Sequence, residues 1–171
     1  ESYSLPPSRL SNVGWIADYN RPILLVVEDP QALDFAVRNL LRLGLDNFAG
    51  YLLGGVEAWY KAAIPLEKTG LITVHELKNM LDEKQDLTVL DVRRENEWNE
   101  GHIKEAMRIY LGHLPKQTDK LDHNKPVVVL CKTGKRSSFG TSILLKAGFK
   151  KVYNCLGGIE AWKKAGFPLT K

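Results

Sequence analysis

Apolar positions along residues 70–171 follow helical and strand-like spacings in turn. Helical spacing predicts three helices, over residues 74–83, over residues 135–147 and from Gly158 onward. Thr73 and Glu76 have the spacing of a capping box, which predicts the start of the first helix. Short apolar runs predict strands at 87–90, 106–110, Val127–Leu130 and 151–156. Strands that alternate with helices favour parallel pairing, so we expect an α/β domain with helices on both faces of its sheet.

The stretch before residue 70 shows the same alternation in a shorter form. Strands are predicted at Ile23–Val27 and 48–52, and helices over 30–43 and from Gly55. Asp29 stands directly before Pro30, which is the position of an N-cap. Two strands and two helices bury too little apolar surface to be stable alone. We therefore expect this part to need the second domain, a partner chain or further sequence to cover it.

An internal repeat relates the two parts of the chain. Residues 54–62 read GGVEAWYKA and residues 157–165 read GGIEAWKKA, 103 positions later, and a Pro-Leu pair follows each copy. Upstream the match continues with a slippage of one residue, since Pro22 and Pro126 each precede an apolar run. The repeat predicts two related modules.

The two modules are predicted to span residues 1–69 and 70–171, with a short linker over 67–70. The first module lacks its front, because only 21 residues precede Pro22, whereas the second module has 56 residues before Pro126. The chain does not begin with Met. We expect it to be a piece of a longer polypeptide or a processed chain.

Composition excludes several classes of protein. With 44% hydrophobic and 26% charged residues among 171, the chain is neither disordered, nor collagen-like, nor of low complexity. Its longest apolar runs are about a quarter of the roughly 20 residues that cross a bilayer, so we expect no membrane partner. Two cysteines cannot form a disulfide framework, and four widely separated histidines offer no metal-ligand spacing. We expect a cytoplasmic protein with no metal and no cofactor.

Positive charge is concentrated in the second module. Residues 1–69 contain 6 basic and 8 acidic side chains, whereas residues 70–171 contain 18 and 12. From Lys120 onward, 11 basic residues face 2 acidic ones. Such a field favours small anions or polyanions, although a solvated lysine-rich face explains the same pattern equally well. Nucleic acid is not among the partners that we expect.

The strongest chemical signal follows the apolar run Val127–Leu130, where Cys131 begins a turn into the next predicted helix. This placement puts a thiol at the carboxyl edge of a parallel sheet, where α/β sites form. Backbone N–H groups of the turn, the positive end of the helix and nearby cations all lower a thiol pKa, so we expect Cys131 to be a thiolate nucleophile. The residues expected to stabilise the thiolate and bind an anionic substrate are Lys132, Thr133, Gly134, Lys135 and Arg136. Without these neighbours, a structural cysteine at a strand end would be the better interpretation.

Four segments resemble motifs of the rhodanese-like sulfurtransferases. They are Cys131-Lys132-Thr133-Gly134-Lys135-Arg136 for the active loop CxxGxR, Leu90-Asp91-Val92-Arg93 for LDVR, Gly101-His102-Ile103 with Ala106 for GHI..A, and Leu156-Gly157-Gly158 to Trp162 for LxGG..AW. The motifs occur in the order of the family and span residues 73–169. The resemblance implies a rhodanese-like fold with a parallel five-stranded sheet. It also implies a Cys131 persulfide that takes sulfane sulfur from thiosulfate or a low-molecular-weight persulfide and passes it to a thiol or cyanide.

The first module resembles an inactive, partial rhodanese-like module. In the register set by Pro22 and Pro126, Val27 stands opposite Cys131, and Pro30 and Ala32 stand opposite Gly134 and Arg136. We expect its role to be structural. Tandem modules of this kind resemble those fused behind persulfide dioxygenase domains of the metallo-β-lactamase superfamily. The resemblance therefore implies a fused or associated domain of that class as a partner, and it leaves a homo-oligomer open.

Two other functions remain open from the residues alone. A cysteine phosphatase or arsenate reductase has a Cys-x5-Arg loop, whereas four residues separate Cys131 from Arg136, which leaves less room for a phosphoryl group. A noncatalytic binding module would recruit a partner through the inactive copy or the basic surface. The intact Cys131 loop argues against a purely binding role.

Other polar and aromatic residues have simpler expected roles. Asp91 is expected to pair with Arg93 as structural support rather than to act as an acid. Cys155 is expected to be a core residue, with a resolving thiol as the alternative. His102 is expected to form structural hydrogen bonds. The packing anchors are predicted to be Trp59, Trp98 and Trp162.

Overall fold

Two parallel sheets and six α-helices organise the described residues, 2–66 and 68–171, of the computed structural model. The strands are β1 (Ile23–Val27), β2 (Phe48–Leu53), β3 (Gly70–Ile72), β4 (Thr88–Asp91), β5 (Ala106–Arg108), β6 (Val127–Leu130) and β7 (Val152–Cys155). The helices are α1 (Pro30–Leu41), α2 (Gly55–Lys61), α3 (Val74–Asp82), α4 (Glu95–Asn99), α5 (Lys135–Lys146) and α6 (Gly158–Lys164). Short 3-10 helices cover Pro7–Trp15, Leu114–Lys116 and Thr118–Lys120.

The chain divides into two compact units. One lies between residues 5 and 68, and the other comprises residues 69–171 together with residues 2–4. Glu1 and Glu67, which belong to the predicted first module and linker, lie outside the described residues. Among the helices of the described residues, none combines the length and the apolar composition that a membrane span requires.

The larger unit contains a five-stranded parallel sheet in the order β3-β7-β6-β4-β5. Strand β6 lies at its centre, where Val129 pairs with Leu90 of β4 on one side and with Asn154 of β7 on the other. All four residues of β6 are buried, as expected for a central strand that helices cover on both faces. The predicted fold class is confirmed.

Apolar helix faces cover both sides of this sheet. On one side, Leu77 of α3 and Trp162 of α6 belong to a cluster with Val128 and Leu130 of β6. Helix α5 contributes Phe139, Leu144 and further buried side chains beside β6 and β7. Helices on both sides thus bury β6, and the residue that follows β6 is Cys131.

The predicted elements appear with small shifts in their ends. Helix α3 begins where the capping box predicts, since Glu76 N–H donates to Thr73 Oγ1 and Thr73 N–H donates to Glu76 Oε2. The hydrogen bonds that Thr73 N–H and the Thr73 hydroxyl donate to the Glu76 carboxylate lower its pKa. The strand predicted at 106–110 ends at Arg108, although the chain continues along β4 because Ile109 N–H donates to Asp91 O at 3.1 Å.

The sequence patterns missed one strand and one α-helix of this unit, besides its short 3-10 helices. Strand β3 has only three residues, too few to show an alternating pattern. Helix α4 has five residues, of which only Trp98 is apolar, so it has no apolar face to detect. Helix α4 matters for the site because it carries Glu97.

The smaller unit is built on the parallel pair β1 and β2. Asp29 caps α1 as predicted, because its Oδ1 accepts a hydrogen bond of 2.7 Å from Ala32 N–H. Helix α1 ends at Leu41 rather than at residue 43, since the chain turns there toward Gly44, which has a left-handed φ of 76°. The order β1-α1-β2-α2 is also the order of β6-α5-β7-α6.

The repeated GG..AW segments adopt matching local geometry. Gly54 and Gly157 precede α2 and α6 with φ values of 84° and 74°. The indole N–H of Trp59 donates to Pro65 O at 3.1 Å, and that of Trp162 donates to Pro168 O at 2.9 Å. The two segments differ in burial. Trp162 is 1% exposed, whereas Trp59 is 36% exposed, so the prediction that Trp59 is a packing anchor is wrong.

The exposure of Trp59 has a structural reason. Trp162 packs in the cluster that includes Leu77 of α3, whereas the described residues of the smaller unit include no helix before β1 other than the 3-10 segment Pro7–Trp15. Its strand residue Leu24 is 73% exposed. The smaller unit therefore repeats only the back half of the larger one.

Candidate active site

The loop after β6 is held against the first turn of α6 by two backbone hydrogen bonds. Ile159 N–H donates to Cys131 O at 2.9 Å, and Glu160 N–H donates to Lys132 O at 3.0 Å. The first N–H groups of a helix have no partner within that helix, so the loop carbonyls satisfy them. The position of Cys131 is thus fixed from two sides, by the sheet and by α6.

Gly158 permits this close approach. A Cβ atom at position 158 would lie 2.2 Å from Cys131 O and 2.8 Å from Lys132 O, and the φ of 56° is left-handed. No side chain fits there without moving the loop. The second glycine of the GG..AW segment is therefore a requirement of the site rather than of the helix alone.

The Cys131 sulfur lies beside two hydrogen-bond donors. Gly134 N–H donates to Sγ at 3.1 Å, and the Ser137 hydroxyl lies 3.4 Å from the same atom. Gly134 is the N-cap of α5 with a φ of 93°, so the positive end of this twelve-residue helix lies at the sulfur. Cys131 is 1% exposed. The sulfur is therefore enclosed by polar groups of the loop rather than by solvent.

Arg136 is held by a carboxylate that the sequence patterns did not reveal. Its Nη1 and Nη2 atoms donate to Glu97 Oε2 and Oε1, both at 2.6 Å. The hydrogen bond from Arg136 is the main reason why the pKa of Glu97 falls to about 2. Glu97 in turn raises the pKa of Arg136, and the charge of Cys131 adds to that rise. Arg136 was expected to bind the substrate anion, but one N–H of each terminal nitrogen is committed to Glu97.

A buried ion pair fixes the helix that carries Glu97. Arg93 Nη2 lies 2.7 Å from Asp91 Oδ2, and both side chains are almost fully buried. The same guanidinium donates to Glu97 O and Gly101 O, each at 2.9 Å. Arg93 therefore fastens the middle of α4, and the residue that follows its C-cap, to the end of β4. Through the Glu97 carboxylate this network continues to the Cys131 loop.

The other loop residues face solvent. Lys132, Thr133 and Lys135 are exposed, and Lys132 Nζ lies 3.4 Å from Glu160 Oε1. The predicted loop residues all lie around Cys131, but some are buried or half-buried and the others are exposed. Gly134 and Arg136 form its inner wall and have fixed partners, whereas the two lysines form an exposed, charged rim.

Cys155 and His102 have structural surroundings. Cys155 is fully buried in the cluster of the larger unit, and burial is the main cause that raises its pKa to about 12. His102 stacks on Trp98 with ring centroids 3.7 Å apart, and its Nδ1 lies 3.2 Å from Trp98 O. The described residues contain no group of three His, Cys, Asp or Glu side chains that could hold a metal ion.

Two functional neighbours, Glu97 and Ser137, were missed from the sequence. Glu97 lies 39 positions before Arg136, and no local pattern reports such a distance. The spacing from Arg93 to Glu97 fits an i,i+4 pair, but the Glu97 carboxylate accepts from Arg136 instead, and Arg93 donates to the Glu97 carbonyl. Ser137 directly follows the loop motif, and its position three residues after the N-cap Gly134 places it in the first helical turn.

A family model for the rhodanese-like domain matches residues 73–165, which is more than half of the chain. The chain belongs to this family. The match covers the unit with the five-stranded sheet and includes Asp91, Arg93, Glu97 and the whole Cys131 loop. It begins after the smaller unit.

Curated relatives of this rhodanese-like chain align with the same region. The thiosulfate sulfurtransferase GlpE of Coxiella burnetii (strain RSA 493 / Nine Mile phase I) is 37% identical over 83 residues, which are 48% of this chain and 78% of GlpE. A sulfurtransferase of Allochromatium vinosum is 29% identical over 99 residues, which are 58% of this chain and 92% of that protein. YrkF of Bacillus subtilis is 33% identical over 91 residues, and the chain spans only about half of its length (49%).

Solved structures of rhodanese-like proteins have the same fold. A rhodanese-related protein from Thermoplasma volcanium superposes with a TM-score of 0.55 at 28% identity, over 59% of this chain and 97% of that one. A rhodanese-like domain protein from Staphylococcus aureus superposes with a TM-score of 0.53 at 29% identity, over 60% of this chain and all of the other.

Proposed function

We propose that the protein is a sulfurtransferase that moves sulfane sulfur through a persulfide on Cys131. The observation that carries the proposal is the Cys131 sulfur at the N-terminus of α5, with Gly134 N–H at 3.1 Å. A sulfur so placed is stabilised as an anion and is a nucleophile without a separate base. The relatives named as sulfurtransferases support the same assignment.

The reaction is a double displacement in which no net oxidation occurs. The Cys131 thiolate attacks the outer sulfur of thiosulfate, a new S–S bond forms, and the old S–S bond breaks as sulfite leaves with the electron pair. An acceptor thiolate or cyanide then attacks the outer sulfur of the persulfide. The bond to Sγ breaks, and Sγ takes the electron pair as the regenerated thiolate. A low-molecular-weight persulfide replaces thiosulfate as donor by the same steps, with a thiolate as leaving group.

The donor anion is bound by the rim and the loop backbone. Lys132 and Lys135 are exposed at the site and provide positive charge, while Gly134 N–H and the N-terminus of α5 lie at the sulfur. Arg136 supplies the N–H groups that Glu97 leaves free. Asp91 and Arg93 support the site by holding α4.

The test is the transfer of sulfur from thiosulfate to cyanide, measured as thiocyanate. Cys131→Ser is expected to abolish the activity, because an alcohol of the same size forms no persulfide. Cys155→Ala is the matched control, since it removes the other cysteine of the chain and is expected to retain the activity. Full activity of Cys131→Ser would contradict the proposal.

A phosphatase is the chemical rival, and the ion pair of Arg136 with Glu97 argues against it. Only four residues separate Cys131 from Arg136, and the terminal fork of Arg136, which would grip two phosphoryl oxygens, already binds the Glu97 carboxylate. We expect no hydrolysis of aryl phosphates by the wild-type chain. Phosphate release that depends on Cys131 would favour the rival.

For residues 1–69 we propose the role of an inactive partial module. The shared element order and the matching Trp-to-proline hydrogen bonds support its relation to the larger unit. Val27 stands where the larger unit has Cys131, so this part lacks a nucleophile. Its association with a persulfide dioxygenase domain, the homo-oligomer and the cytoplasmic location remain predictions. Co-purification from the source cells and sedimentation of the purified chain test the first two.

A further inference from the structure

The Ser137 hydroxyl lies between two hydrogen-bond acceptors at the centre of the loop. Its Oγ is 3.4 Å from Cys131 Sγ and 3.0 Å from Gly134 O. Ser137 is fully buried, so water does not compete for this hydroxyl. A hydroxyl has a single hydrogen and donates it to one acceptor at a time. The position of this hydrogen is therefore a choice between the sulfur and the carbonyl.

The charge on the sulfur determines whether the Ser137 hydroxyl donates to Sγ or to Gly134 O. A neutral thiol is a weak acceptor, and the shorter contact to Gly134 O then holds the hydrogen. A thiolate is a charged acceptor, and hydrogen bonds to charged groups are roughly twice as strong as neutral ones. The hydrogen is expected to turn toward Sγ when the sulfur ionises.

Gly134 O keeps one hydrogen bond when the Ser137 hydroxyl turns toward the sulfur. Ser138 N–H donates to the same carbonyl at 3.1 Å, as the first backbone hydrogen bond of α5. A buried carbonyl that keeps one hydrogen bond carries little penalty. The rotation of the Ser137 hydroxyl therefore leaves no buried polar group unsatisfied.

We propose that Ser137 is a further catalytic residue, whose hydroxyl donates to Sγ whenever Cys131 is a thiolate. This inference rests on the proposed function, because it assigns a role in the persulfide cycle. Sγ carries negative charge before it attacks the donor and again when the acceptor removes the outer sulfur. In the persulfide the charge moves to the outer sulfur, and the hydroxyl returns to Gly134 O. Ser137 thus stabilises Sγ as a leaving group in the second step as well as a nucleophile in the first.

The experiment compares two pairs of variants in the full chain. Ser137→Ala removes the hydroxyl, and Ser138→Ala is the matched control, because that neighbouring hydroxyl lies near Ser4 Oγ and not near the sulfur. Ser137→Thr and Ser137→Val add nearly the same bulk to the buried site, but only Thr keeps a hydroxyl. The second pair isolates the hydrogen bond if the cavity left by Ala prevents folding.

Two readouts are measured for each folded variant. The first is the rate of Cys131 alkylation by iodoacetamide as a function of pH, in the Cys155→Ala background. The second is the single-turnover rate at which cyanide discharges a persulfide preloaded with thiosulfate. Loss of the hydroxyl is expected to raise the pH midpoint of alkylation by about one unit and to slow discharge about tenfold. Ser138→Ala and Ser137→Thr are expected to match the wild type.

A purely structural role would move neither readout in a folded variant. An unchanged midpoint and discharge rate in Ser137→Ala, or equal values for the Thr and Val variants, would overturn the proposal. Failure of the proposed function gives a different result, in which the wild-type chain itself gains no sulfur. The alkylation midpoint still tests the hydrogen bond in that case.

Discussion

Glu97 gives the loop arginine a partner from a distant part of the chain, and this pair sets the electrostatics beside Cys131. The sequence predicts three cations close to Cys131, which are Lys132, Lys135 and Arg136. In the structure, Glu97 offsets the charge of Arg136 and Glu160 lies near Lys132, whereas Gly134 N–H donates directly to the sulfur at the N-terminus of α5. Backbone dipoles are fixed by the fold, and salt screens them less than it screens exposed side-chain charges.

The Glu97 pair predicts a pH-dependent contribution to stability. Its pKa is about 2 in the folded chain and about 4.5 in the unfolded one, so the contribution is present above pH 4.5 and is lost as pH falls toward 2. Glu97→Gln is expected to lower the free energy of unfolding by roughly 2 kcal/mol at pH 7 and by much less near pH 3. Urea unfolding at both pH values measures the difference.

Glu95→Gln is the control for this experiment. Its carboxylate is largely exposed and lies 3.8 Å from Arg108, so its loss is expected to change stability by less than about 1 kcal/mol. An equal, pH-independent loss in both variants would show that the pKa of Glu97 is not lowered by folding.

At the scale of elements, the contact between the Cys131 loop and α6 connects the nucleophile to the closing GG..AW segment. Gly158→Ala is expected to displace the loop, because its Cβ would lie 2.2 Å from Cys131 O. Gly166 also has a left-handed φ, of 75°, but nothing lies within 4 Å of its Cβ position, so Gly166→Ala reports backbone strain alone. That strain is expected to cost about 1 kcal/mol.

The comparison of the two glycine variants therefore separates close contact from strain. Gly158→Ala is expected to unfold at lower urea concentration than Gly166→Ala and to lose most sulfur transfer. Gly166→Ala is expected to retain full activity. Equal stability and activity in the two variants would show that the loop does not depend on its approach to α6.

The elements that sequence analysis identified are those with a repeating pattern or a chemical end signal. The capping box marked α3, Asp29 marked α1, and the four apolar residues of β6 marked the central strand. Helix α4 and strand β3 were too short for either signal. Since α4 carries Glu97, the loop around Cys131 was predictable from local sequence, whereas its counter-charge required the tertiary structure.

At the scale of the whole molecule, the two units differ in how well their sheets are covered. Strand β6 is buried on both faces, whereas β1 alternates half-buried and exposed residues along its length. A two-stranded sheet with one open face is marginally stable in isolation. The repeat predicts similar elements in the two units, and the difference in burial predicts that their local stabilities differ.

Hydrogen exchange of the intact chain tests this difference. Backbone amides of β1 and β2, corrected for intrinsic rates, are expected to exchange at least about 100-fold faster than those of β6 and β7. The expected reason is local opening of the smaller unit without unfolding of the larger one. Equal protection of both sheets would contradict the account and would show that the smaller unit unfolds only together with the larger one.

If Cys131 carries the transferred sulfur, a persulfide forms on its sulfur atom, and the mass of the intact protein reports it. After incubation with thiosulfate and removal of the excess, the wild-type chain is expected to gain the mass of one sulfur atom. The Cys155→Ala variant is expected to gain the same mass, and cyanide is expected to remove it. Peptide mapping should place the added sulfur on the peptide that contains Cys131. An unchanged mass, or a gain that persists in Cys131→Ser, would rule out Cys131 as the carrier of the sulfur.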